Sequence, residues 1–182
     1  SLRGIHGALS QLISVPEQYA VAIETAFGAA LQNIVTDSEG DAKRAIQFLK
    51  ETKGGRATFL PLSAVRGRML EERGLAQCDG FVAVASDLVK CDATYEAVVK
   101  AQVGRTAVAE DMDCAIAIAR KFSYRFRIVT LDGQIINAGG SMTGGSRMQN
   151  AGFLSRSNEI EKLRTEMQAA QAKLSEGAAA YK

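Results

Sequence analysis

Gly139-Gly140-Ser141-Met142-Thr143-Gly144-Gly145-Ser146 is the most unusual stretch of this 182-residue chain. Two Gly-Gly pairs bracket a short, mostly polar run, and three readings compete for it. The first is a phosphate cradle, since glycines let backbone N–H groups approach an anion. Against it, there is no G-x-x-x-x-G-K-[ST], the loop has no lysine, and the residues from Arg147 to Gly152 read as loop rather than as a helix start. The second is a flexible linker. The third is close approach of another backbone, because a residue without Cβ permits tight strand contact and φ > 0. That third reading suits a protein interface.

The surrounding chain alternates helix and strand. Just upstream, Arg127 to Leu131 reads as a strand, Asp132-Gly133 as a hairpin turn and Gln134 to Asn137 as the return strand. Before them come a strand from Phe81 to Ala85, a helix from Tyr95 to Val103, a strand from Thr106 to Ala109, and a helix from Met112 to Phe122 with Cys114, Ile118 and Phe122 on one face. The first third repeats the pattern. A helix from Pro16 (near N1) to Leu31 has Ala20, Ile23, Phe27 and Leu31 as its buried stripe. Gln32 to Thr36 is a short strand. Asp37 to Lys53 is an amphipathic helix, capped by Asp37 or Ser38, with Glu39 and Asp41 in its first turn and Ala42, Ala45, Ile46 and Leu49 as its apolar side. Gly54-Gly55 ends it, and a strand from Ala57 to Leu60 is stopped by Pro61. No tandem repeat of fixed period is present.

Residues 63–80 differ. Arg66, Gly67, Arg68, Glu71, Glu72, Arg73 and Gly74 make a charged, glycine-punctuated connection. The expected architecture is a mixed α/β (α+β) fold of two small subdomains, 1–65 and 81–156, joined by 66–80. Residues 157–182 change character: Ile160, Leu163, Met167, Ala170 and Leu174 are spaced 3, 4, 3, 4, a heptad seam with charged flanks. Ser157 with Asn158 supplies an N-cap signal. The seam is either a surface helix on its own domain or the start of a coiled-coil arm. So short a coiled-coil strand needs a partner helix, placed upstream of Ser1.

Composition narrows the classes. With 47% hydrophobic and 23% charged residues the chain is globular rather than disordered. A net charge of +2 is too small to argue for nucleic acid without local clustering. Cys78, Cys91 and Cys114 are odd in number, far apart and without C-x-x-C, which argues against a disulfide framework or zinc site and fits a reducing cytosol. No apolar run approaches the ~20 residues of a membrane span, and no signal peptide opens the chain. The start, Ser1-Leu2-Arg3-Gly4, lacks Met and reads as an excised piece of a longer protein.

Few residues are candidates for chemistry. Arg120-Lys121-Phe122-Ser123-Tyr124-Arg125-Phe126-Arg127, four cations among three aromatics, is the best nucleic-acid candidate by local charge. The blander reading, which we favour, is a helix end with cations at the dipole's negative pole, followed by a strand with its charges outward. His6 is the only histidine and has no carboxylate cluster nearby in sequence. Glu110, Asp111 and Asp113 precede a helix and read as complements to its dipole rather than as a metal site. No catalytic set, metal or cofactor is implied.

Several segments together resemble the hinge of bacterial structural-maintenance-of-chromosomes (SMC) proteins. They are Gly4-Ile5-His6-Gly7, Tyr19 through Ile23-Glu24 to Ala26-Phe27-Gly28, Gly55-Arg56-Ala57-Thr58-Phe59-Leu60-Pro61-Leu62, Arg125 to Gly133, and Ala138 to Ser146. The heptad tail fits, because that family's hinge sits between two antiparallel coiled-coil strands. The resemblance implies a non-enzymatic, cofactor-free module with two α/β subdomains, which forms a ring-like homodimer through two pseudo-symmetric interfaces. It places Gly139, Gly140, Ser141, Met142, Thr143, Gly144 and Gly145 at those interfaces, where edge strands pair. It also implies weak DNA binding, single strands preferred, on basic surface near the coiled-coil junction, where this sequence offers Arg147, Arg156, Lys162 and Arg164. The whole protein would be a cytoplasmic, nucleoid-associated ATPase of chromosome condensation and segregation, its nucleotide site in a head absent here. Its upstream coiled-coil strand would partner the tail. The rival readings are a nucleic-acid-binding module centred on Arg120, Lys121, Arg125 and Arg127, and a small α/β nucleotide enzyme using the glycine loop.

Overall fold

The structure is a computed structural model; it describes residues 3–146 and 152–179, with side chains as far as Leu174. In chain order the elements are β1 (Ile5–Ala8), α1 (Leu9–Leu12), β2 (Ile13–Ser14), α2 (Glu17–Phe27), a 3-10 turn (Gly28–Gln32), β3 (Ile34–Thr36), α3 (Glu39–Glu51), β4 (Phe59–Pro61), β5 (Phe81–Val84), β6 (Lys90–Cys91), α4 (Glu96–Val103), β7 (Thr106–Ala109), α5 (Met112–Lys121), β8 (Arg127–Thr130), β9 (Ile135–Ile136), β10 (Met142–Thr143) and α6 (Phe153–Ala179). Helices and strands mix as the sequence predicts.

Two sheets carry the fold. In the first, order β1-β3-β4, β1 runs antiparallel to β3 and β4 parallel to it. A parallel neighbour requires a crossover, and α3 supplies it. Ser38 caps α3 by accepting from the Asp41 N–H (3.2 Å). Ala42 and Ala45 are buried, but Ile46 is 53% exposed, so the apolar side is narrower than the periodicity implied. Pro16 occupies the cap position of α2 rather than its first turn, and Ala20, Ile23, Phe27 and Leu31 are all buried. Pro61 does not stop β4; it is its last residue, tolerable because β4 is an edge strand.

The second sheet has the order β10-β9-β8-β7-β5. β7 and β8 are parallel, with α5 as the crossover; the other pairs are antiparallel. All four residues of β7 are buried, as a strand covered on both faces requires. Alternate residues feed two cores: Val108 and Val129 join one, Ala107, Ala109 and Ile128 the other. The first core also takes Leu9, Ile23, Val35 and Leu60 from the N-terminal third and Val98 and Val103 from α4. The second takes Leu70 and Leu75 from the charged connection, so that segment is pinned at two buried leucines. A short ladder, β2 with β6, adds another tie between the first third and the second half.

α6 begins at Phe153, ahead of the Ser157/Asn158 cap signal. Its first N–H groups are capped by Glu24, 130 residues away in sequence from Leu154, a partner that no local pattern announces.

Candidate dimerisation surface

The glycine segment forms a sheet edge. From β9 the chain turns through Gly139 and Gly140, whose φ values are +87° and +97°. Tyr124 holds that turn: its carbonyl accepts the Gly139 N–H (2.8 Å), and its ring lies about 3.5 Å from where a Cβ on Gly140 would sit. The Asn137 N–H donates to the Ser141 carbonyl (2.8 Å), which starts β10. Met142 then pairs with Ile136 and Thr143 with Ile135. Gln134 clips the far end, its Oε1 accepting the Gly145 N–H (2.9 Å) and its Nε2 donating to the Gly145 carbonyl (3.3 Å). The inner side of β10 is therefore fully organised. Its outer side is the terminal edge of the sheet, residues 141–146 are all exposed, and Met142 shows 53% of its surface. A strand with open backbone groups is a template for another strand.

The four glycines have different reasons for being glycine. Gly139 and Gly145 (φ +134°) have open space where a Cβ would go, so their backbone conformation is the constraint within the chain. Gly144 has no positive φ; a Cβ there would collide with Gln134 Oε1 and unseat the clip. Gly140 combines both, a positive φ and the Tyr124 ring.

The basic stretch is mostly engaged inside the molecule. Arg127 donates to the carbonyls of Ala26 (2.9 Å) and Thr25 (3.4 Å) at the end of α2, and burial pulls its guanidinium pKa down. Arg125 pairs with Glu72 (2.9 Å). Lys121 lies over the Phe122 ring (5.6 Å), 3.4 Å from both the Gly74 carbonyl and Cys78 Sγ. Arg120 is exposed without a bonded partner among the described residues. Arg156, Lys162 and Arg164 are exposed on α6; Arg147 lies outside the described residues.

His6 does have a carboxylate, brought to it by the fold: Nε2 meets Asp37 Oδ1 (2.7 Å) and Nδ1 the Tyr95 hydroxyl (2.8 Å), tying β1 to the turn before α4. Asp111 caps α5 by accepting from the Cys114 N–H (2.8 Å), a bond that lowers its carboxyl pKa. Among the described residues no set of three or more ligating side chains could hold a metal ion, and no helix is long and apolar enough to cross a membrane.

Tyr124 and Gln134, the two supports of β10, were not singled out from the sequence. Tyr124 stood within the basic stretch, where charge drew the attention, and its left-handed backbone (φ +54°) has no sequence signal.

An edge strand bracketed by glycines, on a two-sheet α/β body that ends in a long exposed helix, is a candidate surface for joining chains. The family model of the SMC proteins flexible hinge domain matches residues 2–119. The chromosome partition protein Smc of Bacillus subtilis is 46% identical over 164 residues, which are 88% of this chain and 14% of that protein. The corresponding protein of Halothermothrix orenii is 43% identical over 169 residues, 91% of this chain and 14% of that one. Among solved structures, an asymmetric dimer of the Geobacillus stearothermophilus SMC hinge domain superposes with a TM-score of 0.86 at 44% identity, covering 94% of this chain and 70% of that one. The Pyrococcus furiosus SMC hinge domain gives 0.70 at 34%, covering 82% and 78%. The chain belongs to the SMC hinge family, and it spans about one-seventh of the length of these curated relatives.

Proposed function

We propose that this chain is the homodimerisation hinge of a bacterial chromosome-partition ATPase, active in the cytoplasm at the nucleoid. Residues 139–145 are its contact surface, and α6 is the first part of an arm completed by a helix from upstream in the same protein. The observation that carries this reading is the state of β10: organised on its inner side by Tyr124, Asn137 and Gln134, open on its outer side among the described residues, with an exposed methionine. Backbone pairing along that edge would provide affinity, and the glycines would let the second chain come close. The solved hinge from Geobacillus stearothermophilus is described as a dimer, which supports the same reading.

The test is the solution mass of the chain by light scattering beside Met142→Asp. That substitution touches no core, so the circular dichroism spectrum should be unchanged while the mass halves. A parent that is already monomeric at micromolar concentration, or a variant that stays dimeric, would overturn the proposal.

A DNA contact is a secondary reading, favoured by the exposure of Arg156, Lys162 and Arg164 near the root of α6. With three cations it would be weak, with a salt slope no steeper than about −2 to −3, single strands preferred.

A further inference from the structure

α6 is 27 residues long, about 40 Å at 1.5 Å per residue. Among the described residues its buried attachment is confined to the first turn and a half. Leu154 is 1% exposed, Ser155 and Asn158 are half-buried, and every side chain from Glu159 to Leu174 is exposed. The direction of a long rod is therefore decided by a few contacts at one end. A tilt of about 10° at the root would move the far end by about 7 Å.

Glu24, near the end of α2, supplies the cap among those contacts. The residue is 7% exposed, and Oε1 accepts the N–H groups of Leu154 (2.8 Å) and Ser155 (3.0 Å), with the Ser155 hydroxyl at 3.4 Å. Carboxylates in such surroundings persist where their oxygens are bonded, and the positive pole of a helix favours the negative charge. Gly152 lies so close that a Cβ would overlap the carboxylate, which leaves glycine as the residue that fits. One turn into α6, Asn158 Nδ2 donates to the Val15 carbonyl (3.1 Å), just before α2. On the chain positions next to Glu24, the carbonyls of Thr25 and Ala26 receive Arg127 from β8. The last turn of α2 is thus the knot that ties α6 to the sheet ending in β10.

We propose that Glu24 is the joint of this hinge: it caps α6 from the body and so sets the angle at which the arm leaves the sheet that carries the dimer edge. The inference rests on reading α6 as the root of the arm and is independent of whether β10 dimerises.

The experiment uses nitroxides at Glu161→Cys, two turns from the root, and Arg105→Cys, with Cys78, Cys91 and Cys114 replaced by serine. Labelled chains are diluted into an excess of unlabelled ones and read by pulsed electron paramagnetic resonance. Hydrogen exchange of the Leu154 and Ser155 amides is followed on the otherwise unaltered chain. The parent should give a narrow distance distribution. Glu24→Ala should broaden it and speed exchange at both amides about tenfold or more. Glu24→Gln, which keeps an acceptor oxygen without the charge, should fall between. Parent-like width and protection in Glu24→Ala would overturn the proposal. Should Glu24→Ala lose its fold, Glu24→Gln and Asn158→Ala carry the test: broadening in both supports the joint, and parent width in both removes it. Light scattering on the same samples separates the two readings. A monomeric parent sinks dimerisation alone, and unchanged widths in a dimer sink the joint alone.

Discussion

The glycine segment 139–146 and the basic segment 120–127 meet at Tyr124, whose carbonyl and ring support the turn into β10. Both stand out by composition, yet the fold treats them oppositely. In the basic segment three of the four cations are engaged, Arg127 by the end of α2, Arg125 by Glu72, Lys121 by the Gly74 carbonyl and the Phe122 ring, and Arg120 remains exposed. In the glycine segment the inward-facing groups are bonded, and among the described residues the outer edge of β10 is left over. What a segment can offer a partner is what remains after its own chain has been satisfied. Composition counts the groups without that subtraction.

The contrast can be broken at its most internal member. Arg127→Ala leaves two carbonyls at the end of α2 without their donor and removes a half-buried stem. We expect a loss of about 1–3 kcal/mol, read as a fall in Tm of about 3–10 °C, with DNA affinity unchanged. A Tm within a degree of the parent's would mean that the guanidinium is not structural, and the basic segment would regain its claim to a partner.

A smaller effect sharpens the other side of the comparison. Gly144 is glycine because of Gln134 in its own chain, whereas Gly139 has open space around it. Gly144→Ala should unseat the Gln134–Gly145 clip and weaken the dimer by up to about tenfold, the worth of roughly 1.4 kcal/mol of hydrogen bonding. Gln134→Ala should do the same with the glycine intact, and the double variant should be no worse than either alone. Strictly additive losses would show that Gly144 is read from across the interface rather than from within.

Periodic elements were legible, and supports that cross the chain were not. The stripe Ala20, Ile23, Phe27, Leu31 follows from spacing alone, since burial on one face imposes a period, and the strand Thr106–Ala109, buried on both faces, shows as a short, mostly apolar run. The start of α6 did not follow, because its cap is Glu24 and not the nearby Ser157 or Asn158. Nor was the partner of His6 visible, for Asp37 and Tyr95 stand 31 and 89 residues away. For the candidate surface, glycine pairing pointed to close approach; residues 141–146 are exposed, and β10 lies at the edge of its sheet. The props behind it, Tyr124 and Gln134, act through a backbone carbonyl and a side-chain amide, neither of which has a sequence signature.

The smallest expected effect is the most direct test of the contrast. Arg120→Glu with Arg125→Glu reverses two charges on the face that composition singled out for nucleic acid. Arg120 is exposed and Arg125 sits in an exposed pair with Glu72, so the cost to stability should be slight. If DNA is held only at the root of α6, single-strand affinity should stay within about twofold of the parent at fixed salt, and the slope of log K against log salt should not change. Reversing Arg156 and Arg164 instead should flatten that slope by about 1–2, the share of two phosphates. A slope that flattens with Arg120 and Arg125 would put the anion on the basic segment after all. The pairing of Arg125 with Glu72 would then be a contact that DNA displaces, and the subtraction drawn between the two segments would have to be made with the partner present.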